Sequence, residues 1–441
     1  MMQPVDLLLT GKYVLTMDAD QTLIQDGAVA VAGERIIAVG PAREILGRYQ
    51  GEDTLPEEHG LIMPGLVNVH THAAMSCFRG LADDLPLMQW LQEYIFPVEA
   101  KLTPEIVYHS TLLSLCEMIK SGTTSFCDMY LFAADVARAA ELSGMRAWIG
   151  EVLYDFPSPS YGELENGYAC TEMLFDRYAG HPLIKITVDP HAVYTCAPEL
   201  LQRLGKMAAD RNALYVIHLA ENHEEVNTCL ERYGLSPVMH LEKLGLLNGR
   251  VVADHCVMVS DEEIALLAAR GVKVAHCQES NMKLASGTAP VVKMLRAGIT
   301  VGIGTDGSAS NNDVDMFGEM NTVAKIHKVA RMDPTAMDAA TTVRAATIGG
   351  AAVLGADREI GSLEAGKKAD LIVLDMNQPH LTPVYNPVSH LVYAARGADV
   401  IHSVIGGRVV MRSRTLVTLD EAAILAKMNR ISEEIRRLRV Q

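Results

Sequence analysis

The stretch Pro64-Gly65-Leu66-Val67-Asn68-Val69-His70-Thr71-His72 is a short apolar strand that ends in two histidines two residues apart. Side chains at i and i+2 of a strand point to one face. Two imidazoles set that way can grip a single metal ion, and zinc favours such ligands. The sequence therefore predicts half of a metal site at the end of a strand. The other half must lie further along the chain.

From about residue 61 to 360, apolar strand-like runs alternate with helix-length segments. After Leu66–His72 come Thr123–Asp128, Arg146–Gly150, Leu183–Val188, Leu214–His218, Val251–His255, Val272–His276 and Thr300–Asp306. Eight βα units over about 300 residues predict an α/β chain built on a (β/α)8 TIM barrel. A doubly wound open sheet is the alternative, but no GxGxxG turn follows the first strand. In a barrel the C-terminal strand ends share the face where active sites are built. His70 and His72 end the first strand, His218 the fifth, His255 the sixth and Asp306 the eighth. Three histidines and one aspartate from such a set make a zinc shell with room for a water. That water would be acidified to supply hydroxide near neutral pH.

A lone strand-end histidine is more often hydrogen-bonded structure than a ligand. The His-x-His pair, with His218 and Asp306 at matching strand ends, outweighs that reading. His59, His109, His181, His223, His240, His327, His380, His390 and His402 have no such placement and are read as surface or structural. His276 ends the seventh strand, and a structural role is favoured there too.

The two ends of the chain have a different texture. Asp6–Thr10, Tyr13–Met17, Gly27–Val31 and Arg35–Gly40 are short strand candidates with Gly and Asp between them. Lys367–Asp375 reads as turn then strand, and Val400–Val410 as a hairpin turned at Gly406-Gly407. One small β-domain assembled from both termini is expected. Asp420–Leu438 has helical spacing, and its basic finish (Arg430, Arg436, Arg437, Arg439) suits the negative end of a helix dipole.

The 441 residues suffice for one large domain and a smaller one. With 49% hydrophobic and 21% charged residues, the composition is that of a globular protein with a substantial core. A net charge of -16 and a pI near 5.4 argue against a nucleic-acid surface. Eight scattered cysteines, none in a CxxC pair, read as free thiols of a reducing compartment. Met1–Asp6 carries no basic region followed by an apolar one, and no apolar run reaches the length of a membrane span. A cytoplasmic location with no membrane partner is expected.

Pro64–His72, His218-Leu219-Ala220-Glu221 and Gly304-Thr305-Asp306-Gly307 together resemble the amidohydrolase superfamily, over essentially the whole chain. So does Gly361-Ser362-Leu363-Glu364-Ala365-Gly366-Lys367-Lys368-Ala369-Asp370-Leu371. Ala74–Leu87, Trp90-Leu91 and Pro97-Val98-Glu99 resemble the 5'-methylthioadenosine/S-adenosylhomocysteine deaminases within it. The resemblance implies a catalytic barrel over residues 63–360. It also implies a small β-sandwich built from residues 1–62 and 361–441, the latter including the terminal helix.

It implies that His70, His72, His218 and Asp306 hold the metal, that Glu221 shuttles protons and that His255 helps hold the attacking water. His191 would contact the substrate, and Glu99 would bind the ribose hydroxyls. Two-metal relatives bridge their ions with a carboxylated lysine at the end of the fourth strand. Lys185 sits early in that strand, towards the wrong end. One ion is therefore expected, zinc by preference, with iron or manganese able to use the same donors.

The implied reaction is hydrolytic deamination at C6 of an adenine nucleoside. Asp306 takes the water's proton, Glu221 protonates N1, and ammonia leaves. Relatives that handle S-adenosylhomocysteine tend to carry an arginine after the third strand, where Glu151 falls in this chain. A carboxylate there would repel the tail's carboxylate. Conversion of 5'-methylthioadenosine to 5'-methylthioinosine is thus expected first, with adenosine or S-adenosylhomocysteine as further substrates. A guanine deaminase or triazine hydrolase would share the metal site. A non-catalytic scaffold would typically lack a ligand. The oligomeric state stays open, with a homo-oligomer as one option.

Overall fold

The computed structural model describes residues 2–440, with side chains up to Leu438, so the Arg439 side chain lies outside the described ones. At its centre is a curled, wholly parallel sheet. Its strands are β1 (Leu66–Thr71), β2 (Thr123–Tyr130), β3 (Arg146–Leu153), β4 (Ile184–Ile186), β5 (Tyr215–Leu219), β6 (Val251–His255), β7 (Lys273–His276) and β8 (Val301–Ile303). β1 to β4 pair in chain order, and so do β5 to β8. The halves meet at both seams. Val188, just after β4, bridges to Tyr215 of β5. The Asp306 N–H, just after β8, donates to the His70 carbonyl of β1 at 3.0 Å. Strand order never reverses, which removes the doubly wound alternative. The sheet is consistent with a (β/α)8 barrel.

Every residue of β1, β2 and β3 is buried. That is the mark of a parallel sheet packed on both faces, and it explains why these strands read as continuous apolar runs. A Cβ on Gly304 would fall 2.8 Å from the His70 backbone nitrogen and oxygen. Glycine there lets the chain after β8 close directly on the strand that carries the histidine pair.

The terminal segments form one eight-stranded mixed sheet. Leu371–Asp375 lies beside Tyr49–Pro64, antiparallel, with Leu371 opposite Pro64 and Asp375 opposite Gly60. Strands from opposite ends of the chain are thus neighbours. The hairpin Val400–Ile405 with Arg408–Arg412 turns at Gly406 (φ +54) and Gly407 (φ +75), a conformation glycine adopts freely.

Two local expectations change. Asp6–Thr10 and Tyr13–Met17 are largely one strand, Gln3–Leu15, which absorbs Gly11-Lys12 through a register shift rather than a turn. The 16-residue strand Tyr49–Pro64 has no counterpart in the sequence reading, because the charged face of its first part is open to solvent.

Arg146, at the start of β3, grips Asp370 of the terminal segment at 2.7 Å, with side chains 6% and 2% exposed. The helix Glu421–Val440 buries Ile424, Met428, Ile431 and Ile435 and is tied to the helix Pro104–Lys120 by Lys120 and Glu421 at 2.7 Å. Among the described residues no helix is long and apolar enough to cross a membrane, and all eight cysteines are free.

Candidate metal centre and active site

The site is built at the C-terminal ends of β1, β5, β6 and β8. Three of these ends leave their strand through left-handed backbone: Ala220 (φ +52), His255 (φ +68) with Cys256 (φ +47), and Asp306 (φ +58). Residues with a Cβ adopt this region rarely, and they do so disproportionately at functional sites.

His70, His72 and His218 offer ring nitrogens that all lie within 4.8 Å of one another. His72 Nε2 is 3.3 Å from His218 Nε2. Asp306 Oδ1 lies 3.2 Å from His72 Nε2 and 3.6 Å from His70 Nε2, so the eighth strand end faces the other three donors. The second Asp306 oxygen accepts from the Ser280 and Ser310 hydroxyls at 2.6 and 2.8 Å. The outer ring nitrogens are held too. His72 Nδ1 meets the Met129 carbonyl, His218 Nδ1 lies 2.8 Å from the His191 carbonyl, and His70 Nδ1 lies 3.0 Å from Asp254 Oδ2.

The donor set fits a metal ion. His70 Nε2 is buried without a hydrogen-bond partner, a state native proteins avoid unless something satisfies the atom. Burial and the neighbouring rings push His218 well below the ordinary histidine value, so it is neutral, as a ligand must be. Burial acts to raise Asp306, yet the adjacent His70 and His72 rings hold it well below the carboxylate range. Burial likewise lowers His70, but Asp254 and Asp306 carry it up to about 10. Two carboxylates call for positive charge at this ring, which a proton or a cation supplies.

A cavity opens over these donors, and Glu221, His255, Glu99 and His191 all line it. Burial raises the Glu221 pKa, which favours a carboxylic acid able to give a proton. The turn that carries Glu221 is held by Glu225, which accepts the Ala220 and Glu221 N–H groups at 3.0 and 2.7 Å. His255 stacks on His218, with centroids 5.6 Å apart, and its Nδ1 is 2.8 Å from Asn281 Oδ1. Glu99 accepts the Tyr130 hydroxyl at 2.6 Å. His191 Nδ1 is 2.8 Å from Thr195 Oγ1, and burial lowers its pKa to about 3. Apolar side chains complete the wall, among them Leu87, Trp90, Leu91 and Phe96. Trp90 and Leu91 come from a turn of π-helix, Trp90–Ile95, a form frequent at functional sites.

One expectation fails. Glu151 does not face the cavity. Its oxygens accept the Phe132 and Ala133 N–H groups at 3.2 and 2.8 Å, at the start of the helix Ala133–Ser143. Free helix-terminal amides attract a carboxylate strongly, and they claim this one. Lys185 lies away from the donors, with its Nζ 5.3 Å from the Trp148 ring and 3.9 Å from Glu359. His276 pairs with His327 at 3.0 Å, both buried, and reads as structural. The sequence reading missed Asp254, Glu225, Ser280, Asn281 and Ser310. Only Asp254 left a trace, as an acid inside an otherwise apolar strand.

Three imidazoles and two buried carboxyl groups, gathered beside one cavity at the C-terminal strand ends, define a metal-dependent hydrolase. Comparisons with known proteins agree. A model of the amidohydrolase family matches residues 61–410. The 5-methylthioadenosine/S-adenosylhomocysteine deaminase of Syntrophobacter fumaroxidans is 55% identical over 431 residues, 98% of each chain. The corresponding deaminase 1 of Syntrophus aciditrophicus is 51% identical over 99% of this chain and 98% of its own. Among solved structures, a zinc-bound adenosine deaminase from Xanthomonas campestris superposes with TM-score 0.98 at 40% identity, covering 99% of this chain and 100% of that one. A zinc-complexed atrazine chlorohydrolase from Arthrobacter aurescens gives 0.89 at 26%, over 97% and 100%. The chain belongs to the amidohydrolase family, in its 5-methylthioadenosine/S-adenosylhomocysteine deaminase branch.

Proposed function

We propose that this chain deaminates adenine nucleosides hydrolytically. 5'-Methylthioadenosine is its first substrate, giving 5'-methylthioinosine and ammonia, and adenosine and S-adenosylhomocysteine are further ones. The observation that carries the reading is one cavity lined by His72, His218, Asp306 and buried Glu221, with the His70 ring nitrogens grouped behind it with those of His72 and His218. The names of the close relatives and the zinc in the similar structures support it. We assign one zinc ion to the four donors, because Lys185, the nearest candidate for a bridging lysine, lies elsewhere.

When bound, the ion would supply the Lewis acidity that makes a water nucleophilic near neutral pH. Asp306, held ionised, accepts that water's proton. His255, fixed by Asn281, orients the water. Glu221 protonates ring N1 and makes C6 electrophilic. The water oxygen adds to C6, the exocyclic C–N bond breaks, and the nitrogen leaves as ammonia with a proton returned by a carboxylate. Glu99 takes the ribose hydroxyls, and neutral His191 contacts the substrate.

The apolar wall suits a methylthio group. Among the described residues no lysine or arginine lines the cavity, so the carboxylate tail of S-adenosylhomocysteine finds no cationic partner. That replaces Glu151 as the reason for the preference. We read residues 63–360 as the catalytic barrel, and 1–62 with 361–441 as the small β-sandwich and terminal helix. The eight free cysteines suit a reducing cytoplasm.

An ammonia-release screen across 5'-methylthioadenosine, adenosine, S-adenosylhomocysteine, guanine and cytosine tests the reading. The highest kcat/KM is expected on 5'-methylthioadenosine. Turnover of guanine alone would move the chain to another class of ring hydrolase. A clear preference for S-adenosylhomocysteine would overturn the tail argument.

A further inference from the structure

We infer that Asp254 is a positioning residue for the metal centre, holding His70 by its outer nitrogen. The inference rests on the metal site proposed above. Asp254 lies on β6, in register with the ligand His218 on β5 and with Ala275 on β7. It is therefore in the layer of the sheet that carries the site. Its Oδ2 is 3.0 Å from His70 Nδ1, and neither side chain has any exposed surface. Among the described residues no lysine or arginine pairs with it, and apart from this close contact neither of its oxygens nor His70 Nδ1 has a hydrogen-bond partner.

The three histidines are not treated alike. His72 and His218 rest their outer nitrogens on backbone carbonyls. His70, the most enclosed of the three, rests on a carboxylate instead. A carboxylate at that position fixes which ring nitrogen carries the proton and makes the other a stronger donor. A buried carboxylate also needs balancing positive charge nearby. No lysine or arginine supplies it here, and a cation held by His70 would. Asp254 touches neither substrate nor ion and acts through the His70 ring.

The test is zinc binding by the apo protein in competition with a chromophoric chelator, with thermal unfolding of the apo forms measured alongside. Asp254→Asn keeps the side-chain shape and removes the charge. It is expected to lower zinc affinity by roughly 10–100-fold and to shift the visible absorption of the cobalt(II)-substituted protein. Asp254→Glu should recover part of the affinity. Asp399→Asn breaks a comparable contact far from the site, where His380 Nε2 lies 2.9 Å from Asp399. That variant should lower the melting temperature and leave zinc affinity unchanged.

Wild-type zinc affinity and an unchanged cobalt spectrum in Asp254→Asn would overturn the inference. Failure of the wild-type chain to bind zinc at all would overturn the metal site, and the inference with it. If Asp254→Asn does not accumulate as folded protein, 15N histidine NMR of the zinc-loaded wild type decides. A protonated Nδ1 on His70 is expected, and an unprotonated one refutes the role.

Discussion

Replacing Glu221 by Gln separates chemistry from binding. The side chain is 6% exposed and is outside the His70, His72 and His218 group, so an amide of the same shape leaves the metal donors in place. The turn beneath it is held through backbone N–H groups donating to Glu225, which the substitution does not touch. What is lost is the proton. General acid–base catalysis is worth ~10²–10⁴-fold, or about 3–5.5 kcal/mol at ~1.36 kcal/mol per decade. We expect kcat to fall by that range while KM moves only a few-fold. The assay is the ultraviolet change as adenine becomes hypoxanthine, with zinc content measured on the same samples. Burial raises the Glu221 pKa, so its acid form persists to higher pH than in an exposed carboxylate. The wild-type rate should decline as pH rises through that value, and the variant should lack this limb. Turnover within about tenfold of wild type at full zinc occupancy would refute the assignment.

Three further outcomes follow from other contacts. Glu99→Gln should lower kcat/KM on 5'-methylthioadenosine by roughly 10–150-fold, as loss of a charge-assisted hydrogen bond of ~1.5–3 kcal/mol implies; an equal loss on an analogue lacking the ribose hydroxyls would contradict the contact. Asp370→Ala strands Arg146, 6% exposed, in the seam between barrel and terminal sheet, and urea unfolding should show a loss of ~3–5 kcal/mol. Burial lifts Glu225 from 4.5 to about 8. The stability that its protonated form contributes is therefore full below the unfolded value and is lost as pH rises through about 8. Relative to Glu225→Gln, the wild type should lose stability across that window, and parallel pH profiles for the two proteins would exclude the effect.

The parallel strands were legible because strands buried on both faces cannot hide. Tyr215–Leu219 and Val251–His255 are largely apolar runs that carry a histidine at the last position or the one before it. That His70, His72, His218 and Asp306 would meet was legible for the same reason, since they break such runs at their ends or just beyond. Tyr49–Pro64 was not legible, because its first part is mostly polar and open to water, with no apolar alternation to mark a strand. Gly11-Lys12 looked like a turn, and pairing on both sides of the strand overrode it. Glu151 shows where pattern runs out. Its place on β3 was read correctly, but which neighbour claims its side chain depends on the helix start at Phe132 and Ala133. Asp254 likewise gains its meaning only from His70, a residue distant in sequence and 3.0 Å away in space.

The central claim is that His70, His72, His218 and Asp306 hold a metal ion that serves deamination of an adenine nucleoside. Ammonia release from 5'-methylthioadenosine by protein stripped with a chelator, then titrated with zinc, tests it most directly. The account predicts no turnover without metal and full recovery at one zinc per chain, with His72→Ala failing to recover. Undiminished turnover by the stripped protein, or recovery in His72→Ala equal to wild type, would contradict it.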